Sequence, residues 1–408
     1  MYTTKPMSLD DSLESFGVLD GRKPDKHSAQ SRLRGLVCAL LCSLACGCGG
    51  GGGGGGGSSS SGGTTPPPSP TTDSLLAVTN ATAGSIDLLT ISATTGIPTS
   101  VASDPMPDGP TPTAVAIDPL KRFLYVVSTS GEIRGYAIVP STLNLTAIAG
   151  SPFSTGAQST GIAVDPSGQF VLTANGSGST VSVFSIGSTG ALAEVAGSPY
   201  AAGSNPSAIV VAGGQYVYAA NTAGSSVSAY SLNMSSGALT PVAGSPFSTP
   251  GQPNGLVVDP AGTHLYASES QPNEMSGFSI DGTTGALSTI PGSPFGASFA
   301  IRTPVIDAAG KRLHVSNGTA VDCFEVDANT ATLSEIGVSA TNGQSSIALA
   351  LDGQDNFLYV LDNLANQIEV FSIDTSSGAL TLINGSPFTL FAGASNQNLG
   401  PNAIAVQH

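Results

Sequence analysis

Residues 160–200 read TGIAVDPSGQFVLTANGSGSTVSVFSIGSTGALAEVAGSPY. Gly161–Val164 is a short apolar run, and Asp165-Pro166-Ser167-Gly168 closes it. Asp at the first place of a turn, Pro at the second and Gly at the fourth favour a type I turn, because proline pre-sets φ. A second strand is expected from Phe170 to Ala174, followed by an Asn/Gly/Ser loop. A third, β-branched and aromatic, is expected from Val181 to Ile186. Thr189–Leu192 turns the chain into a fourth, weaker strand that ends at Gly197-Ser198-Pro199. There the proline suits an outer edge, where no ladder bond is lost.

Working outward, the Asp of this turn recurs at Asp118, Asp165, Asp259, Asp307 and Asp352, with Ala212 in its place in one copy. The successive spacings are 47, 47, 47, 48 and 45 residues. A second landmark, G-S-P followed by Phe or Tyr, ends at Phe153, Tyr200, Phe247, Phe295 and Phe388. Two landmarks with one period indicate a repeat architecture. The strands are apolar on both faces, as in Val181-Ser182-Val183-Phe184, so each four-stranded sheet must be covered on both sides. Radial repetition of such sheets is a β-propeller. A solenoid of this period would carry helices, and no helical periodicity is found after residue 75.

The repeat predicts an all-β, seven-bladed β-propeller with four antiparallel strands per blade. Second strands begin near Leu76, Phe123, Phe170, Tyr216, Leu265, Leu313 and Leu358, but first strands precede only six of them. The seventh is expected at the C-terminus, in Pro401–Val406, so that the last strand closes the ring and removes two sheet edges.

Of the 408 residues, 40% are apolar and 10% charged. From residue 47 onward there are 6 basic and 22 acidic residues, a formal charge of −16. Such a body repels nucleic acid and anionic lipid. Residues 1–46 read as an N-terminal segment carrying a signal peptide: Arg32 and Arg34 precede an apolar stretch, Gly35–Ala45, of secretory length and too short to span a bilayer. Ser43-Leu44-Ala45-Cys46 resembles a bacterial lipoprotein signal, with Cys46, or Cys48, as the acylated residue. A C-x-C pair can also hold a metal, but no His lies near it. No metal and no cofactor are expected. Residues 47–73, with an unbroken Gly run, Ser58–Ser61 and a Thr/Pro stretch, read as a flexible tether. Residues 74–408 form the propeller.

The pattern P-x-x-I-A-V-D-P-x-G-x-x-L-Y-V-x-N…V-x-V-F-x-I resembles the bacterial lactonase-type seven-bladed propellers, which include 6-phosphogluconolactonase, muconate-cycloisomerising propellers and YVTN-repeat surface proteins. It covers residues 75–407. The resemblance implies, for enzymatic members, a G-P-R-H start to one first strand and a Glu after that blade's second strand, all facing the central channel. Here the start is Gln252-Pro253-Asn254-Gly255, without Arg or His, while Glu269 matches the Glu. One blade on, Arg302 holds the Arg slot and Thr303 the His slot. Glu269 and Arg302 are therefore the catalytic candidates. Their ordinary alternatives are a solvated loop carboxylate and half of a surface ion pair. His264 and His314 are expected at the starts of second strands, away from the channel.

With the His missing, the sequence favours an exported, lipid-anchored binding or scaffold module at a bacterial cell surface, in the periplasm or outside. It is expected to be monomeric, with a protein or carbohydrate ligand at the propeller face. The alternative is an extracytoplasmic lactonase acting on a sugar or muconate-type lactone.

Overall fold

The computed structural model describes residues 73–101, 106–107, 109, 111–297, 301–341, 345–390 and 401–407. The expected signal segment, Cys46, Cys48 and residues 47–72 of the tether lie outside the described residues.

Seven antiparallel sheets follow one another. Blade 3 shows how the sequence builds each of them. Its inner strand Ser159–Val164 pairs with Phe170–Asn175, which pairs with Thr180–Ile186, which pairs with Leu192–Glu194. The turn after the inner strand is held by the Asp itself. Asp165 is fully buried, and its Oδ1 accepts the backbone N–H groups of Gln169 at 2.7 Å and Phe170 at 2.6 Å. Asp259 and Asp307 do the same in their own blades, and Asp352 accepts the N–H of Phe357. The recurring carboxylate thus satisfies backbone donors at a strand start that would otherwise be orphaned in the interior.

The outer edge differs from the expected single fourth strand. Leu192–Glu194 stops after three residues, and Tyr200–Ala201 then pairs with the third strand on its own. Between them Ser198 takes over the ladder: its Oγ accepts the N–H of Val183 at 3.1 Å. Ser151, Ser245, Ser293 and Ser386 accept from Gly135, Ala229, Gly277 and Val370 in the same way. The G-S-P motif is therefore a kink in the outer edge whose serine replaces a backbone carbonyl. The Ser–Pro bonds of all five motifs are cis. Blade 6 lacks the motif, and its outer strand, Leu333–Ala340, runs on for eight residues.

Both faces of each blade are apolar because the core is divided. Seven buried clusters each lie between two adjacent blades, one for every blade pair around the ring. Four buried tyrosines add clasps between neighbouring blades. Tyr125, Tyr218, Tyr266 and Tyr359 donate to the carbonyls of Gly190, Gly285, Ala331 and Gly96.

The ring closes as the repeat predicts. Pro401–Val406 pairs with Ser74–Asn80, so blade 1 joins the two ends of the propeller. Val406 and Leu76 enter the same cluster as Tyr359 and Ile368 of blade 7.

Candidate functional site

The inner strands line a central channel. A cavity of about 250 Å³ at one end is lined by all seven of them, from Thr113, Thr160, Ser207, Asn254, Thr303, Ala348 and Asn402 inward. The second residue of each inner strand recurs at this mouth and ties one blade to the next. Asn402 donates to Pro112 O, Thr113 to Ser159 O, Thr160 to Pro206 O, Ser207 to Pro253 O and Asn254 to Ile301 O. Thr303, one place on, donates to Ile347 O. The collar ends at Ile347, whose side chain has no donor to carry it from blade 7 to blade 1. Sequence reasoning missed this belt, although the period itself puts a Thr, Ser or Asn at that place in repeat after repeat.

Glu269 and Arg302 lie on neighbouring blades next to the collar, Glu269 paired with Pro253 and Arg302 directly before Thr303, and neither lines the cavity itself. Neither meets its ordinary expectation. Glu269 lies inside the strand His264–Ser270 and is 0% exposed, so it is not a solvated loop carboxylate. Ser276 Oγ donates to its Oε1, and Oε2 lies without a hydrogen-bond partner against the Gly251 backbone. Burial pushes its carboxyl above the usual range; the Ser276 hydroxyl and the nearby Gly251 N–H oppose this, and the Glu274 charge adds to it. Gly251 is required here, because a Cβ on it would stand 2.6 Å from Oε2 and 2.4 Å from the Gln271 carbonyl oxygen.

Arg302 is exposed, and among the described residues its guanidinium makes no ion pair. Its backbone is clamped to blade 5. Ser268 Oγ lies 2.8 Å from Asn254 Oδ1 and donates to the Arg302 carbonyl, while Asn254 Nδ2 donates to Ile301 O at 3.1 Å. Gly255 permits this approach, since a Cβ there would meet Arg302 O at 2.5 Å. The residues in the missing Arg and His slots, Asn254 and Gly255, thus hold the one cation of the neighbouring slot. Ser268 is the link between the two candidates, and sequence reasoning did not single it out.

The histidines lie elsewhere. His264 starts its strand, as expected, and its Nδ1 is 3.1 Å from Asp259 Oδ2. His314 is not at a strand start but in the middle of Arg312–Ser316, 1% exposed, with Nδ1 3.3 Å from Cys323 Sγ. Burial pulls the imidazole down to about 4 and pushes the thiol up to about 12.

A family model described as lactonase, 7-bladed beta-propeller, matches residues 74–206, 195–301 and 303–389. The chain belongs to this lactonase family. Its fold is similar to solved structures that cover about the same part of it. A proposed 6-phosphogluconolactonase from Bacteroides fragilis is 19% identical with a TM-score of 0.73, over 83% of this chain and 99% of that one. A counterpart from Bacteroides uniformis is 20% identical with a TM-score of 0.71, over 82% and 99%. A periplasmic gluconolactonase from Pseudomonas aeruginosa is 20% identical with a TM-score of 0.68, over 83% and 99%. No curated protein matches the chain. This lactonase-family propeller therefore keeps the scaffold of the family.

Proposed function

We propose that this protein hydrolyses an uncharged lactone at the collared mouth of its channel. The observation that carries the reading is Arg302: an exposed cation without an ion-pair partner among the described residues, its backbone clamped next to the collar beside the blade that holds Glu269. Hydrolysis of a lactone develops negative charge on the carbonyl oxygen, and a preorganised cation stabilises it. Proton transfer needs a group poised near the working pH, and burial raises Glu269 in that direction. In this reading Glu269 works when the Gly251 segment, which covers Oε2, moves aside. The hydroxyls and amides of the collar suit a neutral ligand. A phosphorylated lactone would need a cluster of cations and would meet a body of formal charge −16.

The test is hydrolysis of unphosphorylated and 6-phosphorylated gluconolactone by the full-length protein. We expect enhancement for the neutral lactone alone, reduced at least about a hundredfold in kcat/KM by Arg302→Ala and by Glu269→Gln. A rate equal to the spontaneous one for both lactones sinks the reading. It would leave the second reading, a binding or scaffold module, which the complete burial of Glu269 favours. In either case we propose export, with acylation at Cys46 or Cys48, on the strength of the apolar segment and tether that precede the propeller.

A further inference from the structure

We propose that the lactone this site takes carries an uncharged hydrocarbon chain, which lies along the channel beneath the collar. The inference rests on the reading of the mouth as a lactone site. Below the mouth the channel holds a second cavity of about 390 Å³, walled by the inner strands of blades 5, 6, 7 and 1. Every side chain lining it is aliphatic or proline, Val257, Val258, Val305, Ile306, Ile404 and Ala405 among them. Pro304 and Ile404 line both cavities, so the two adjoin along the channel. The same wall continues around the ring in the half-buried Ile162, Val164, Val210 and Val211.

The channel is therefore polar at one end and aliphatic along its length. Ligand sites with apolar walls and a few convergent polar groups take ligands of matching polarity. A bare sugar lactone would use the collar and leave the lower wall facing water. A chain covers that wall, at up to about fourfold in affinity per buried methylene. The unpaired inner edges of the sheets keep backbone polar groups along the channel, which lowers the gain to about two- to fourfold. The aliphatic wall selects against a charged terminus. Asp118, Asp165, Asp307 and Asp352 end the inner strands, but their buried carboxylates are taken up by strand N–H groups and, for Asp118, by Arg122. A chain ending in a carboxylate would have to be desolvated against the aliphatic wall, which costs more than its methylenes gain.

The experiment uses the full-length protein and γ-lactones bearing unbranched alkyl groups from methyl to heptyl, with the matching non-hydrolysable γ-lactams for calorimetry. We expect kcat/KM for the lactones and affinity for the lactams to rise about two- to fourfold per methylene. An ω-carboxylate should cancel the rise. Val305→Phe, which narrows the passage below the collar, should bring the heptyl-to-methyl ratio towards one, and Ala405→Leu provides a second, smaller plug. The ratio is internal to each variant, so a partial loss of folded protein does not alter it. Hydrolysis that is indifferent to chain length overturns the inference and leaves the proposed function standing. Lactam affinity that grows with chain length, with no lactone hydrolysed, keeps the apolar passage and removes the enzymatic reading. Neither binding nor hydrolysis removes both.

Discussion

The hydroxyl of Tyr359 donates a 3.0 Å hydrogen bond to the carbonyl of Gly96, 263 residues earlier in the chain. It clasps blade 7 to blade 1 at the junction the mouth collar leaves open. Closure there depends on this clasp, on the shared cluster and on Pro401–Val406. Truncation after Leu399 removes the inner strand, the burial of Val406, worth about 1.5–3 kcal/mol, and a smaller contribution from half-buried Ile404. Against a typical total of about 5–15 kcal/mol, the midpoint of urea unfolding should fall steeply. Tyr359→Phe should cost only about 1–3 kcal/mol, through the unsatisfied carbonyl. A truncated protein with an unchanged midpoint would refute this account of closure.

Ser198 replaces a backbone acceptor for the fully buried Val183. Ser198→Ala should therefore destabilise by about 1–3 kcal/mol, the cost of an unsatisfied interior N–H, although the change removes a single oxygen. Ser167→Ala is the control, since Asp165 remains held by the N–H groups of Gln169 and Phe170. Equal unfolding midpoints for the two variants would show that the serine carries no ladder bond.

His314 is neutral in the folded protein, its imidazole pulled down to about 4 by burial beside Cys323. The unfolded chain protonates near the ordinary value of about 6.5. Between these values the unfolded state binds the extra proton, so the stability contributed above pH 6.5 is lost as pH falls toward 4, by about 3 kcal/mol in all. The raised carboxyl of Glu269 works in the opposite direction, since its folded form takes up a proton first. Comparison of the wild type with His314→Leu isolates the histidine: the difference in unfolding free energy should change with pH between 6.5 and 4 and stay flat above 7. A difference that stays constant across that range would mean the imidazole is not held neutral.

The anchor is tested by metabolic labelling with palmitate in a bacterial host. The wild type should incorporate label, and Cys46→Ala combined with Cys48→Ala should abolish it. An unlabelled wild type ends the proposal of acylation.

The propeller was legible because its turn chemistry repeats. Asp165 and its equivalents both fix a landmark and cap the next strand, so pattern and physics coincide. The closing strand could be located by counting, since six first strands cannot serve seven sheets. The outer edge was less legible: whether Ser198 faces solvent or a ladder depends on where Val183 sits across the kink. At the mouth, the matched Glu could be picked out but its environment could not. Glu269 is buried by Gly251, from the connection leading into its own blade, and by Ser276 on the next strand. Arg302 is placed by Asn254 and Ser268 of the preceding blade. Such contacts between separate segments leave no local pattern to read.

The pairing of Ser74–Asn80 with Pro401–Val406 also sets a clock. The partner of the earliest strand is the last part of the propeller to be made. At roughly 5–20 residues per second, the ribosome needs on the order of 20–60 s to travel from one to the other. During that interval six blades can assemble pairwise, while blade 1 waits with an unsatisfied strand edge. A newborn chain is thus open to rival strands, or to a holding chaperone, until Pro401–Val406 has been made.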